Sequence, residues 1–327
     1  MAAVKRKLAV GAVISLLFLY LAARGIRWED FAGALRRTRY LYLIPGVAFT
    51  MLGHFSRSVR WKYMMSPVKE CALSRLWSAT AIASMVNHLL PARLGEFVRA
   101  YVIGRSEQVS KSAAFATIVY ERVVDVFVLI VLLWFSMMQI SGPPWLQRSA
   151  TLLVVFNLAL FGLLVAMVRW RQRFRTLLDR GVRPLPTDAR RRIHASANAF
   201  VDGLGVVTRP ASSIPITVFS VAVWGCAVLC IYFSVLACRL DVPLMTSVVL
   251  IVLISLGSMI PSAPAFVGTL QYACVVGLGI YGVDRGEALA FSAVYHATQF
   301  FPITLAGLYY ARRSHLRLSE ISGGRAA

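Results

Sequence analysis

Arg93, Glu96 and Arg99 stand three apart in a chain that is otherwise mostly apolar. That spacing puts them on one face of a helix. Two guanidinium groups on one face can grip a phosphate in bidentate forks, with the intervening carboxylate orienting one of them. A second set follows in Glu121, Arg122 and Asp125. Glu121 and Asp125 are four apart on one face, and two carboxylates so placed need a cation or a proton inside an apolar surround. Arg122, or Arg93 and Arg99, can supply the charge. A third set is polar and near-neutral: His296 and Gln299, with Tyr295 and Gln271 as further polar candidates. Asn87 and His88 precede the first set and can cap a helix or line a cavity. The blander readings are a headgroup-facing loop, a structural ion-pair network and a hydrogen-bonded packing histidine.

Other chemistry has no sequence footing. There is no phosphate-binding Walker loop, zinc-ligand spacing, nucleophile elbow or dinucleotide fingerprint. Nothing reads as an enzyme, and no metal or cofactor is called for. The five cysteines, Cys71, Cys226, Cys230, Cys238 and Cys274, lie mostly in apolar runs without His or carboxylate companions. They read as small packing residues, not as a disulfide or metal framework.

The elements that must hold these groups are interrupted. The apolar run Trp77 to Leu90 ends at Pro91; Gly95 follows, then another apolar run. Proline removes a backbone donor and glycine frees the turn. In a bilayer, broken backbone persists only where protein buries it or a wet cavity meets it. The second half repeats the pattern at Pro261, Pro264 and Gly268. Pro91–Ala100 aligns with Pro264–Ala273 at an offset of 173, and Val119-Tyr120-Glu121 with Val294-Tyr295-His296 at 175. Near-constant offsets indicate an internal duplication, and paired breaks in two halves point to a transporter's central site.

Composition sets the frame. The chain has 327 residues, 58% of them hydrophobic and only 15% charged, with a mean hydropathy of +0.68. The fold expected is an all-α polytopic integral membrane protein with about six full spans plus two broken re-entrant helical hairpins, arranged as inverted repeats. The formal net charge of +21 fits Lys and Arg clustered in loops beside anionic headgroups better than nucleic-acid binding. Residues 1–327 form a single transmembrane domain in this reading. Repeat halves at about 41–140 and 214–311 are joined by an Arg-rich cytoplasmic loop, 169–213.

Charge bias fixes the expected topology. Leu8 to Ala23 is a signal anchor, and Trp28 to Leu35 an amphipathic surface run. Leu41 to Phe55 returns inward to a basic inner loop holding Arg57, Arg60, Lys62, Lys69 and Arg75. If Leu76 to Gly104 enters and leaves on one side, as a re-entrant helical hairpin or a pair of short spans, the nine arginines of 169–192 stay inside. Gly142-Pro143-Pro144 is a turn, Asp188 to Val207 a surface helix, and Asp284 to Glu287 a capping box. Arg312, Arg313 and Arg317 keep the C-terminus, like the N-terminus, in the cytoplasm of a cell inner membrane.

Residues Asn87 to Ala100, then Glu121-Arg122-Val123-Val124-Asp125, then Pro261 to Gly268, resemble the lysylphosphatidylglycerol synthase transmembrane, flippase-like family. The resemblance covers most of the chain. It implies an integral domain that moves lipid between leaflets. Multi-domain members carry a cytosolic aminoacyl transferase; this sequence ends at Ala327 without one, which implies no lysyl-lipid synthesis. Ala265 and Phe266 stand where many relatives have glycines, and Thr269 to Gln271 where a Glu is common. The expected function is translocation of an anionic phospholipid or lipid-linked intermediate without ATP hydrolysis. The alternative is a membrane enzyme or accessory subunit in lipid, lipid-linked glycan or terpenoid lipid biosynthesis. The expected partner is a membrane phospholipid or a polyprenyl or terpenoid lipid, together with a biosynthetic enzyme.

Overall fold

The structure, a computed structural model, describes residues 2–90, 94–139, 144–260 and 263–314. Pro91, Arg93, Pro261, the Gly142-Pro143 turn and Arg317 lie outside the described residues. Thirteen α-helices and three short 3-10 turns make up the described chain, with no strand among these residues. They are α1 (Ala2–Ala23), α2 (Trp28–Arg37), α3 (Leu43–Met65), α4 (Leu73–Leu89), α5 (Gly95–Glu107), α6 (Lys111–Gln139) and α7 (Pro144–Arg169), then α8 (Arg171–Val182), α9 (Thr187–Gly203), α10 (Pro210–Ala237), α11 (Met245–Met259), α12 (Thr269–Gly279) and α13 (Arg285–Arg313).

The sequence breaks appear as helix breaks. α4 stops at Leu89 and α5 starts at Gly95; α11 stops at Met259 and α12 starts at Thr269. At about 1.5 Å per residue, α4 and α5 reach roughly 25 and 20 Å, short of a hydrocarbon core about 30 Å thick. Each pair folds back on itself. Lys69, just before α4, pairs with Glu107 at the end of α5 (Nζ–Oε2 3.0 Å). Arg75 on the first turn of α4 pairs with the same carboxylate (Nε–Oε1 3.3 Å). The first hairpin therefore returns to the end of the bundle where α3 finishes. The second returns to the opposite end. Arg37 bonds Glu287 at the start of α13 (3.3 Å), and the Arg39 amide donates to the Ala237 carbonyl (2.8 Å). Those contacts gather the start of α3, the end of α10 and the start of α13 at that end.

Helix neighbours in the two halves correspond. α3 lies along α10. α4 packs on α5 and α5 on α6, as α11 packs on α12 and α12 on α13. α4 also packs on α13, while α11 packs on α6, so the first arm of each hairpin leans on the long helix of the other half. One apolar core, around Trp61, Ile82, Ile103 and Ile118, holds the first half. Another, around Ile231, Leu250, Leu278 and Phe291, holds the second.

Three expectations need correcting. Arg57, Arg60 and Lys62 do not form a loop; α3 runs on to Met65, and Arg60 is 0% exposed. The helix continues because Trp61, Met64 and Met65 supply another buried apolar turn. The segment 188–207 is more than a surface helix, since α9 packs against α6. At α13, Asp284 Oδ1 accepts from the Gly286 amide (2.7 Å), but Glu287 turns to Arg37 instead of completing the box. Among the described residues, α10 alone is long and apolar enough to cross a membrane as one unbent helix, or up to three spans exist if each sharply bent pair counts as one. α3 has the length but carries His54, Arg57, Arg60 and Lys62.

Candidate functional site

Glu121, 0% exposed, is the centre of a buried ion network. α6 presents Glu121 and Asp125 one turn apart. α3 presents Arg57 and Arg60 with the same facing register, and α5 brings Arg99. Arg60 bridges both acids: Nη2 to Glu121 Oε1 at 3.1 Å and Nη1 to Asp125 Oδ1 at 2.8 Å. Its Nη1 also donates to Ser220 Oγ on α10 (2.9 Å). Arg99 Nη1 reaches Glu121 Oε2 at 2.8 Å, and its guanidinium carbon lies 3.8 Å from the Trp61 ring centroid. Arg122 touches both acids at 3.3 Å. Arg57 Nε is 3.8 Å from Glu121 Oε1. Trp224 Nε1 donates to Asp125 Oδ1 at 3.4 Å.

Four guanidinium groups thus converge on two carboxylates, an excess of positive charge. The members differ in exposure. Arg60 and Arg99 are closed off by protein, whereas the side chains of Arg57 and Arg122 are 26% and 39% exposed. The two open ones line a cavity of about 420 Å3 at the junction of both halves. Asp125, Glu96, Asn87, His88 and His54 border it from the first half. His296, Tyr295 and Gln299 border it from α13, and Ala265 and Phe266 from the second break. The wall carries two guanidinium groups and two carboxylates, and its guanidinium, imidazole and amide donors are the groups that can meet an anion.

Each break is tied by an amide side chain. Asn87 Oδ1 accepts from the Gly95 amide at 2.8 Å, giving the start of α5 one of its missing partners. A Cβ on Gly95 would collide with the Ala83 carbonyl oxygen, so only glycine allows the approach. Gln271 Oε1 accepts from the Gly268 amide at 2.7 Å, with Gly268 at φ +90°. The other end of the Gln271 amide meets His296 Nδ1 at 3.1 Å. His296 Nδ1 is then the acceptor, which leaves Nε2 to carry the proton of a neutral ring. His88 Nδ1 lies 2.9 Å from Thr304 Oγ1 and stacks on Phe300. Gln299 Nε2 donates to Thr50 Oγ1 (2.9 Å), joining α13 to α3.

The structure gathers Asn87, Glu96, Arg122, Asp125, His296 and Gln299 around one cavity, with Glu121 and Arg99 directly behind it. Arg99 faces Glu121 and Trp61; among the described residues Glu96 Oε2 has no hydrogen-bond partner. Sequence reasoning missed Arg57, Arg60, His54 and Trp224. The signal for the first two was present: they are spaced three apart and followed by large apolar residues, opposite two acids that required cations.

The profile of the lysylphosphatidylglycerol synthase transmembrane region matches residues 8–307. A UPF0104 membrane protein of Methanocaldococcus jannaschii is 25% identical over 235 residues, covering 71% of this chain and 96% of the relative. A UPF0104 membrane protein of Methanothermobacter thermautotrophicus is 24% identical over 327 residues, covering 93% of this chain and 94% of the relative. The match runs through both hairpins and the helices that carry the ion network, and with it the chain belongs to the lysylphosphatidylglycerol synthase transmembrane-region family.

Proposed function

We propose that this multi-pass membrane protein moves an anionic phospholipid or lipid-linked intermediate between leaflets without hydrolysing ATP. The observation that carries the reading is the central cavity. It is lined by both halves, and two partly open arginines face it from a network with more guanidinium than carboxylate. Buried charge without a partner is costly, so the excess favours an anionic occupant. Arg57 and Arg122 take the headgroup phosphate. Glu121 and Asp125 hold both arginines in place from behind, while Arg60 and Arg99 compensate those acids.

Inverted repeats of residues 41–140 and 214–311 account for the movement. Entry of the two hairpins from opposite ends of the bundle supports this, as do the corresponding helix neighbours. Each break is a place where backbone turns beside a polar cavity, with Asn87 or Gln271 as its tie. Opening one break and closing the other exposes the headgroup to one leaflet at a time. The Arg-rich segment 169–213 and both termini face the cytoplasm in this scheme.

The test is headgroup accessibility of a labelled phosphatidylglycerol in vesicles reconstituted with purified protein. Wild type makes the inner-leaflet label reachable by an impermeant quencher. Arg57→Gln with Arg122→Gln slows this about tenfold or more, the loss of charge-assisted bonds each worth about 1.5–3 kcal/mol. Equal rates for the double variant and wild type would reject the reading.

A further inference from the structure

On the far side of α5 from the ion network lies a separate groove of about 680 Å3, between α5, α6 and the α8–α9 segment. Phe97, Phe115, Phe174 and Phe200 give it an apolar wall. Phe97 stacks on Phe115 with ring centroids 4.9 Å apart, yet remains 60% exposed. The rim holds two cations, Lys111 at the start of α6 and Arg192 on α9. Lys111 Nζ sits 4.7 Å from the Tyr101 ring centroid. Neither cation has a carboxylate partner among the described residues, although Arg171 and Arg190 on the same segment do find protein partners.

Apolar slot and unpaired basic rim together define the chemistry of an occupant. An alkyl chain fills the slot and a negative headgroup meets the rim; long basic side chains at a membrane interface do this with their stems along apolar surface. The volume falls in the range of roughly 300–1,000 Å3 usual for ligand sites. The groove differs from an ordinary lipid-facing surface in having a third wall, because α9 packs against α6. Leu94, beside the first break, also lines it, while Glu96, two residues on, borders the central cavity.

We propose that this groove binds one acyl chain of an anionic phospholipid, with the lipid phosphate on Lys111 and Arg192. It places a lipid next to the break that the headgroup would pass. The proposal rests on the membrane reading of the family and stands whether or not the central cavity translocates.

The experiment places a photoreactive phenylalanine analogue at position 97 of the full chain, in vesicles of equal parts phosphatidylglycerol and phosphatidylcholine. The adducts are identified by mass, and translocation is followed in the same vesicles. The phosphatidylglycerol adduct should exceed the phosphatidylcholine adduct by about tenfold, and Lys111→Gln with Arg192→Gln should bring the two to parity. Both substitutions are at exposed or rim positions and leave the core intact. Equal adducts in the unsubstituted chain, a crosslink to residues 315–327, or a crosslinked second copy would each overturn the groove site. An adduct ratio unchanged in Arg57→Gln, with translocation lost, supports a groove site separate from the central cavity.

Discussion

Arg60 is the residue on which the site's stability turns. It is fully buried on α3 and holds two acids of α6 with near-ideal distances. Removing one partner of such a pair leaves a buried charge uncompensated, which costs about 3–5 kcal/mol. Glu121→Gln should therefore lower the unfolding temperature of the detergent-solubilised protein sharply, because buried Arg99 loses its acid and Arg60 keeps only Asp125. Arg57→Gln should change it little, since Arg57 sits 3.8 Å from Glu121 and is partly open. Equal losses from both substitutions would mean that the network is not divided into a buried frame and an open pair. The pairing of Glu121 and Asp125 with cations could be read from sequence, as acids in an apolar run need them. Which cations could not. Arg57 and Arg60 lie far from Glu121 in the chain, and only packing of α3 on α6 brings them together.

At the scale of elements, the breaks were legible and their ties were not. Pro91, Gly95, Pro264 and Gly268 mark the breaks by backbone chemistry alone. The structure starts α5 at Gly95 and caps α12 at Gly268. The amide ties are a matter of side-chain reach across a turn: Asn87 bonds eight residues ahead, and Gln271 bonds back to Gly268. Asn87→Ala should cost about 1 kcal/mol, the net worth of one hydrogen bond. Asn87→Asp keeps the acceptor and should cost less; a thermal melt of the two variants checks the order. α1 also braces the second break, because Ser15 Oγ accepts from the Ala263 amide (2.7 Å) and the Ser15 carbonyl occupies the space that a Cβ on Gly268 would need. Gly268→Ala suffers twice, from its φ of +90° and from that contact. It should loosen α1, seen as faster proteolysis within the first helix. Undiminished protection would show that α1 does not brace the break. Sequence marked α1 only as an anchor, since nothing in an apolar run says which helix it will lean on.

For the molecule as a whole, the proposed duplication rests on the residue offsets and on matching helix neighbours in the two halves. Each hairpin leans on the long helix of the other half, and the two hairpins open toward opposite ends. Span counting from hydropathy was the least dependable guide, because the helices that matter most carry the charges that lower their hydropathy. The scheme predicts that a cysteine at position 180 is labelled only from the cytoplasmic side of sealed cells. The most direct measurement of the central idea uses Ser255, which lines the cavity from α11, while the native cysteines are buried. Ser255→Cys is exposed to an impermeant thiol reagent from each side of sealed, uniformly oriented vesicles, with and without phosphatidylglycerol. Alternating access to an anion site predicts labelling from both sides and slower labelling when the anionic lipid is present. Labelling from one side only, at a rate indifferent to lipid charge, would contradict it.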